Sequence, residues 1–289
     1  MADHEPGRGE HRIAVRDLSV GHGDRLVIDG MDLSIPTGRV TAIVGANASG
    51  KSTLLSAIAR QLSPRGGSVL LDGRDIHSYR RKEFGRLLGI LPQAPIAPEG
   101  IAVADLVGRA RYPHQRWYGQ WNAQNEAAVA RALELTDTVD LATRSIDELS
   151  GGQRQRVWLA FAIAQDAAVM LLDEPSTYLD LATQVEVLDI LADLNAADGR
   201  TIVLVLHDLS QAARYADAMI ALQDGRIEAA GTPAEVITEE NLARVFGLRA
   251  RVVPDPVTGT PLVVPLRRPP GRARGAGLLT VPTIERTTP

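Results

Sequence analysis

The run Val40-Thr41-Ala42-Ile43-Val44 ends in Gly45; after Ala46, Asn47, Ala48 and Ser49 comes Gly50-Lys51-Ser52-Thr53, which opens the helical-looking stretch STLLSAIARQL. Gly-x4-Gly-Lys-Ser between an apolar strand and a helix is the pattern of a phosphate-binding loop. It constrains the fold tightly, because a buried strand, a tight turn and a helix start must follow one another without a spacer. Successive backbone N–H groups would wrap phosphates, and the helix N-terminus adds favourable dipole charge. Lys51 is one of only two lysines in the chain, the other being Lys82. A compact ammonium can reach β- and γ-phosphates inside such a loop, where the larger planar fork of arginine does not fit. The Ser52 hydroxyl is placed to ligate Mg²⁺.

Other short apolar runs alternate with helical segments. Strands are predicted at Ile13–Val20, Leu26–Ile35, Val40–Val44, Val69–Leu71, Gly89–Leu91, Val169–Leu172, Ile202–Leu206 and Met219–Leu222. Asp72-Gly73 and Asp224-Gly225 mark tight turns, the second within a hairpin, ALQDGRIEAAG. Continuous apolar strands ending in Gly45, Asp173 and His207 are what a buried parallel sheet shows, and ligands gather at the carboxyl ends of such strands. From about 94 to 165 helical periodicity dominates, broken by YPHQRWYGQW, which reads as a helical subdomain inserted into the α/β core.

Composition removes whole classes of function. Without cysteine there is neither a disulfide nor a catalytic thiol. A net charge of −4 argues against nucleic acid as the main partner. The N-terminus lacks the apolar core of a secretory signal, and no apolar run is long enough to cross a bilayer. Residues 1–11 read as a disordered leader and 266–289 as a solvated, Pro/Arg-rich tail.

Two further motifs carry chemistry. In VMLLDEP an apolar strand ends in two acids: Asp173 suits a water-mediated hold on Mg²⁺ and Glu174 suits a general base. In LSGGQRQR, Ser150, Gly151, Gly152 and Gln153 open a helix with a second anion-binding start. An ordinary Ser cap needs no Gly-Gly. Two such starts serve one γ-phosphate only if the second comes from another molecule.

The phosphate loop, LSGGQ and LLDEP, in this order, resemble the nucleotide-binding subunits of ABC transporters over roughly residues 12–247. The resemblance implies a P-loop nucleoside-triphosphatase core: α/β with a mainly parallel sheet, an antiparallel β subdomain and the inserted helical subdomain, followed here by an extension over 248–265. It implies ATP and Mg²⁺ as ligands. It also implies a head-to-tail homodimer in which Ser150, Gly151, Gly152 and Gln153 of one subunit complete the ATP site of the other. By the same resemblance Gln93 in GILPQ senses Mg²⁺ and the γ-phosphate, Asp180 in STYLD lies at the dimer seam, and His207 in LVLHDL is the switch histidine.

Two positions depart from the family. Where an aromatic usually stacks on adenine this chain has His22, a ring of smaller area. Where the loop usually has glycine it has Ala48, which costs about 1–2 kcal/mol if its φ is positive. Within the family, the Arg111-Tyr112-Pro113-His114 run and Tyr178 resemble the ATPases of ferric-siderophore importers, in the group that also serves haem and cobalamin. That likeness implies separate membrane permeases, an indirect link to a substrate-binding protein, and a place on the cytoplasmic face of the membrane. Arg111, Tyr112, Trp117 and Trp121 either anchor the permease interface or cover the subdomain's own core. A soluble ABC ATPase acting on ribosomes or DNA, and a non-hydrolysing scaffold, are the competing expectations.

Overall fold

The structure, a computed structural model, describes residues 13–115, 122–176 and 179–267. Its strands are β1 (Ile13–His22), β2 (Arg25–Ile35), β3 (Val40–Gly45), β4 (Gly66–Leu71), β5 (Arg74–Asp75), β6 (Leu88–Leu91), β7 (Val169–Asp173), β8 (Thr201–Val205), β9 (Ala218–Gln223), β10 (Arg226–Gly231), β11 (Ala250–Pro254) and β12 (Pro261–Pro265). Its helices are α1 (Lys51–Ile58), α2 (Arg81–Leu87), α3 (Val103–Arg109), α4 (Ala123–Leu135), α5 (Gly151–Ala164), α6 (Leu181–Asp198), α7 (Leu209–Tyr215), α8 (Pro233–Val236) and α9 (Glu239–Phe246).

A six-stranded sheet runs β10-β9-β3-β8-β7-β6, parallel except for β10. A second, antiparallel sheet runs β2-β1-β4-β5. Every residue of β3, β7 and β8 is buried, and the two-residue alternation of a strand then divides their side chains between two cores. Ala42, Val44, Met170, Leu172, Ile202 and Leu204 pack against α3 to α6. Ile43, Val169, Leu171, Val203 and Val205 pack against α1 and the antiparallel sheet. That is why these strands read as unbroken apolar runs.

The helices over 103–164 share one continuous apolar cluster with the sheet, through Val107, Ala132, Trp158 and Leu159. Arg111 is part of this interior: it is 4% exposed. Its Nε donates to Asn125 Oδ1 at 3.1 Å and its Nη1 to the Ala164 carbonyl at 2.8 Å. Asp166 lies 3.9 Å away as its counter-charge. Of the two readings of Arg111, the interior one is favoured, because its hydrogen bonds to Asn125 and Ala164 lie inside the chain. Tyr112 is 63% exposed, under the Lys82 ammonium at 4.9 Å from the ring centre. Trp117, Trp121 and Tyr178 lie outside the described residues.

Over 248–265 the chain forms the hairpin β11–β12, which packs on α7. Arg214 Nη2 donates to Asp255 Oδ2 at 2.6 Å, and Val263 N donates to Ser210 Oγ at 3.2 Å.

Candidate nucleotide-binding and catalytic site

The parallel strands deliver their functional residues at their carboxyl ends. Gly45 closes β3, Asp173 closes β7, His207 follows β8 by two residues and Gln93 follows β6 by two. Gly45 is required by close approach: a Cβ there would meet the Leu222 carbonyl at 2.3 Å and Ser49 Oγ at 2.6 Å. Ala48 takes φ 62°, so the strain foreseen at this position is present.

Lys51 is 5% exposed and bends back over its own loop. Its Nζ donates to the carbonyls of Gly45 at 3.0 Å and Ala46 at 2.9 Å. Burial lowers its pKa, against which the nearby Glu174 and Asp173 charges pull upward. The ammonium is held by two carbonyls, with two acids near enough to act on it through their charge.

Burial raises the Asp173 carboxyl, a hydrogen bond from Ser52 opposes that, and the Glu174 charge adds to it. Asp173 Oδ1 is buried and has no hydrogen-bond partner. A buried carboxylate oxygen without a donor beside a serine hydroxyl fits a hard divalent cation that takes oxygen ligands and keeps waters and phosphates in its shell. Among the described residues, no group of three or more His, Cys, Asp or Glu could hold an ion alone. Ser52 and Asp173 are thus the residues that would hold Mg²⁺ together with the nucleotide.

Glu174 is 8% exposed and takes φ 55°, the left-handed region, at the turn after β7. Gln93 Nε2 donates to its Oε2 at 2.8 Å, and His207 Nε2 lies 2.6 Å from its Oε1. The amide nitrogen of Gln93 must face the carboxylate, which leaves its Oε1 as the oxygen available to a metal.

Lys51, Ser52, Gln93, Glu174 and His207 line a cavity of about 850 Å³. Asn47 to Thr53, from the phosphate loop and the start of α1, line it together with His22, Gln93, Glu174 and His207. His22 Nε2 lies 3.4 Å from Thr53 Oγ1. Sequence reasoning missed Arg25, Leu26 and Val27 from the β1–β2 hairpin, and the turn residues Asp224 and Gly225, all of which line the cavity. The Asp-Gly pair signalled a hairpin. What it could not signal is that Gly225 N donates to the Ser49 carbonyl at 3.0 Å, buttressing the phosphate loop.

Ser150, Gly151, Gly152, Gln153 and Asp180 do not line this cavity. Ser150 caps α5 in a reciprocal box, its Oγ accepting from Gln153 N at 3.3 Å and its N donating to Gln153 Oε1 at 3.1 Å. Asp180 caps α6 by accepting from Thr183 N at 3.0 Å. A Cβ added at Gly151 or Gly152 would meet nothing within 4 Å, and neither has positive φ. The fold of the single chain gives no reason for the Gly-Gly pair.

The fold and the site define a P-loop ATPase of the transporter type, and the comparisons agree. The ABC transporter family model matches residues 28–177. The chain belongs to that family, among its ATP-binding subunits. It is 51% identical to the probable siderophore transport system ATP-binding protein YusV of Bacillus subtilis (strain 168), over 89% of this chain and 94% of that one. It is 47% identical to the ferric enterobactin transport ATP-binding protein FepC of Escherichia coli (strain K12), over 89% and 95%. A bacterial ABC transporter cassette solved as a dimer superposes with TM-score 0.69 at 25% identity, covering 76% of this chain and 98% of that one. Among the described residues no helix is long and apolar enough to cross a membrane.

Proposed function

We propose that this chain is the ATP-hydrolysing subunit that drives import of ferric-siderophore complexes through a separate membrane permease, working as a pair of copies on the cytoplasmic face of the membrane. The observation that carries the ATPase role is the convergence of Lys51, Ser52, Gln93, Glu174 and His207 on one cavity at the carboxyl ends of the sheet, with Asp173 hydrogen-bonded to Ser52. The cargo rests on the ferric enterobactin and siderophore relatives.

The residues divide the work. The loop N–H groups and Lys51 take the β- and γ-phosphates, Lys51 exchanging the carbonyls of Gly45 and Ala46 for phosphate oxygens. Mg²⁺, when bound through Ser52 and Asp173, supplies charge neutralisation of the phosphates. Glu174 orients and deprotonates the attacking water, with Gln93 and His207 holding its carboxylate in place. His22, with Arg25 and Leu26, offers the wall for the base.

A second copy supplies Ser150, Gly151, Gly152 and Gln153 to the phosphates and Asp180 to the seam. The support is that these residues stand outside their own chain's cavity and that the two glycines leave open space where a side chain would sit. The test is uptake of labelled ferric siderophore in a strain lacking this chain, complemented with wild type or with Lys51→Ala. Uptake restored only by wild type supports the proposal; uptake unaffected by the deletion removes the siderophore assignment.

A further inference from the structure

Helix α5 is fastened at two points to the strands that deliver the catalytic groups. About 7.5 Å along its axis from Ser150, Gln155 Nε2 donates to the carbonyl of Pro175 at 2.5 Å, the residue after Glu174. At the other end the C-capping Gln165 accepts from Ile90 N and donates to Ile90 O, both at 3.0 Å, three residues before Gln93. The turn at Glu174 is strained, since a non-glycine residue keeps φ 55° only when its surroundings impose it. On one side Glu174 N donates to the Val205 carbonyl at 3.2 Å. On the other side Pro175 has no N–H, so its carbonyl is its only backbone handle. Gln155 holds that handle.

We propose that Gln155 is a positioning residue that ties the Ser150 turn serving one ATP to the Glu174 turn serving the other. The inference rests on the two-copy reading above. In that assembly Ser150 meets the nucleotide on the partner's phosphate loop, while Glu174 of the same chain faces its own nucleotide. A shift of the first turns of α5 toward one nucleotide passes through Gln155 to Pro175 and re-aims the carboxylate at the other. The two hydrolysis events are thereby coupled through a side chain that touches neither nucleotide.

The experiment is steady-state ATPase of the full chain against ATP concentration, for wild type, Gln155→Met (similar length, no donor) and Gln155→Glu (same shape, no N–H). We expect both variants to lose about tenfold or more in kcat with half-saturation within about threefold, a misplacement signature. The Hill coefficient should fall from about two toward one. ATP-dependent dimerisation, measured by size exclusion in a Glu174→Gln background, should persist in both. Dimerisation with unchanged kcat and Hill coefficient would overturn the coupling while leaving the two-copy reading intact. A Glu174→Gln chain that stays monomeric with ATP would remove the two-copy reading, and the coupling with it.

Discussion

His207 Nε2 lies 2.6 Å from Glu174 Oε1, which joins the segment after β8 to the turn after β7. Gln93 holds the other oxygen at 2.8 Å. The two contacts hold the carboxylate from both sides, one from Gln93 Nε2 and one from His207 Nε2.

Glu174→Gln removes the base and keeps the shape of the turn. ATP turnover is expected to fall by about 10²–10⁴ while nucleotide affinity stays within a few-fold. Phosphate-release kinetics alongside equilibrium nucleotide binding check this, and normal turnover would disprove the base assignment.

At Ala48, φ 62° burdens an L-residue that glycine would relieve. Ala48→Gly should stabilise the nucleotide-free chain by about 0.5–1 kcal/mol, the relief being partly offset by the freer unfolded chain. ATPase activity should remain within a few-fold of wild type. Urea unfolding and ATPase assays on the same preparation test both statements; a large gain in activity would mean that the strain had been a functional handicap.

Arg111 donates to Asn125 and Ala164 inside the chain, so its loss is a loss of stability. Arg111→Ala should cost about 1–3 kcal/mol, the range for leaving a buried hydrogen-bond acceptor without its donor, and should be read by chemical denaturation. Unchanged stability with lost transport would restore the interface reading.

The Arg214 hydrogen bond, with those from Val257 and Thr258 N–H, pulls the Asp255 carboxyl from 3.8 down to about 2. An acid whose folded pKa is depressed stabilises the fold above its unfolded pKa, and that contribution is lost as pH falls through the folded value. Wild type should therefore lose this share of its stability between about pH 4 and pH 2. Asp255→Asn should show a smaller decline over the same window, which thermal melts at successive pH values would reveal. Equal declines would show that the tether carries no linkage.

The legible parts of the molecule were those where one local signal sufficed. β3, β7 and β8 are buried on both faces, so their sequences are unbroken apolar runs. The phosphate loop and the helix start at Ser150 are written in adjacent residues. β5 has only two residues, and β11 and β12 are short, partly exposed and flanked by prolines, so alternation had no length in which to show. Arg25, Leu26 and Asp224 reach the cavity because two hairpin tips converge in space, a relation no spacing records. Arg111 stayed open between interface and interior because what buries it, Asn125 and the end of α5, lies 14 and 53 residues away.

β6 is the last strand of the six-stranded sheet, and such an edge is ordinarily a template for any extended chain that meets it. Here Leu88 N is taken by the Phe84 carbonyl at the end of α2, and the Gln165 amide occupies both backbone groups of Ile90. A Gln165→Ala chain would leave the Ile90 backbone groups unsealed, and the expected readout is a larger insoluble fraction on expression than wild type gives.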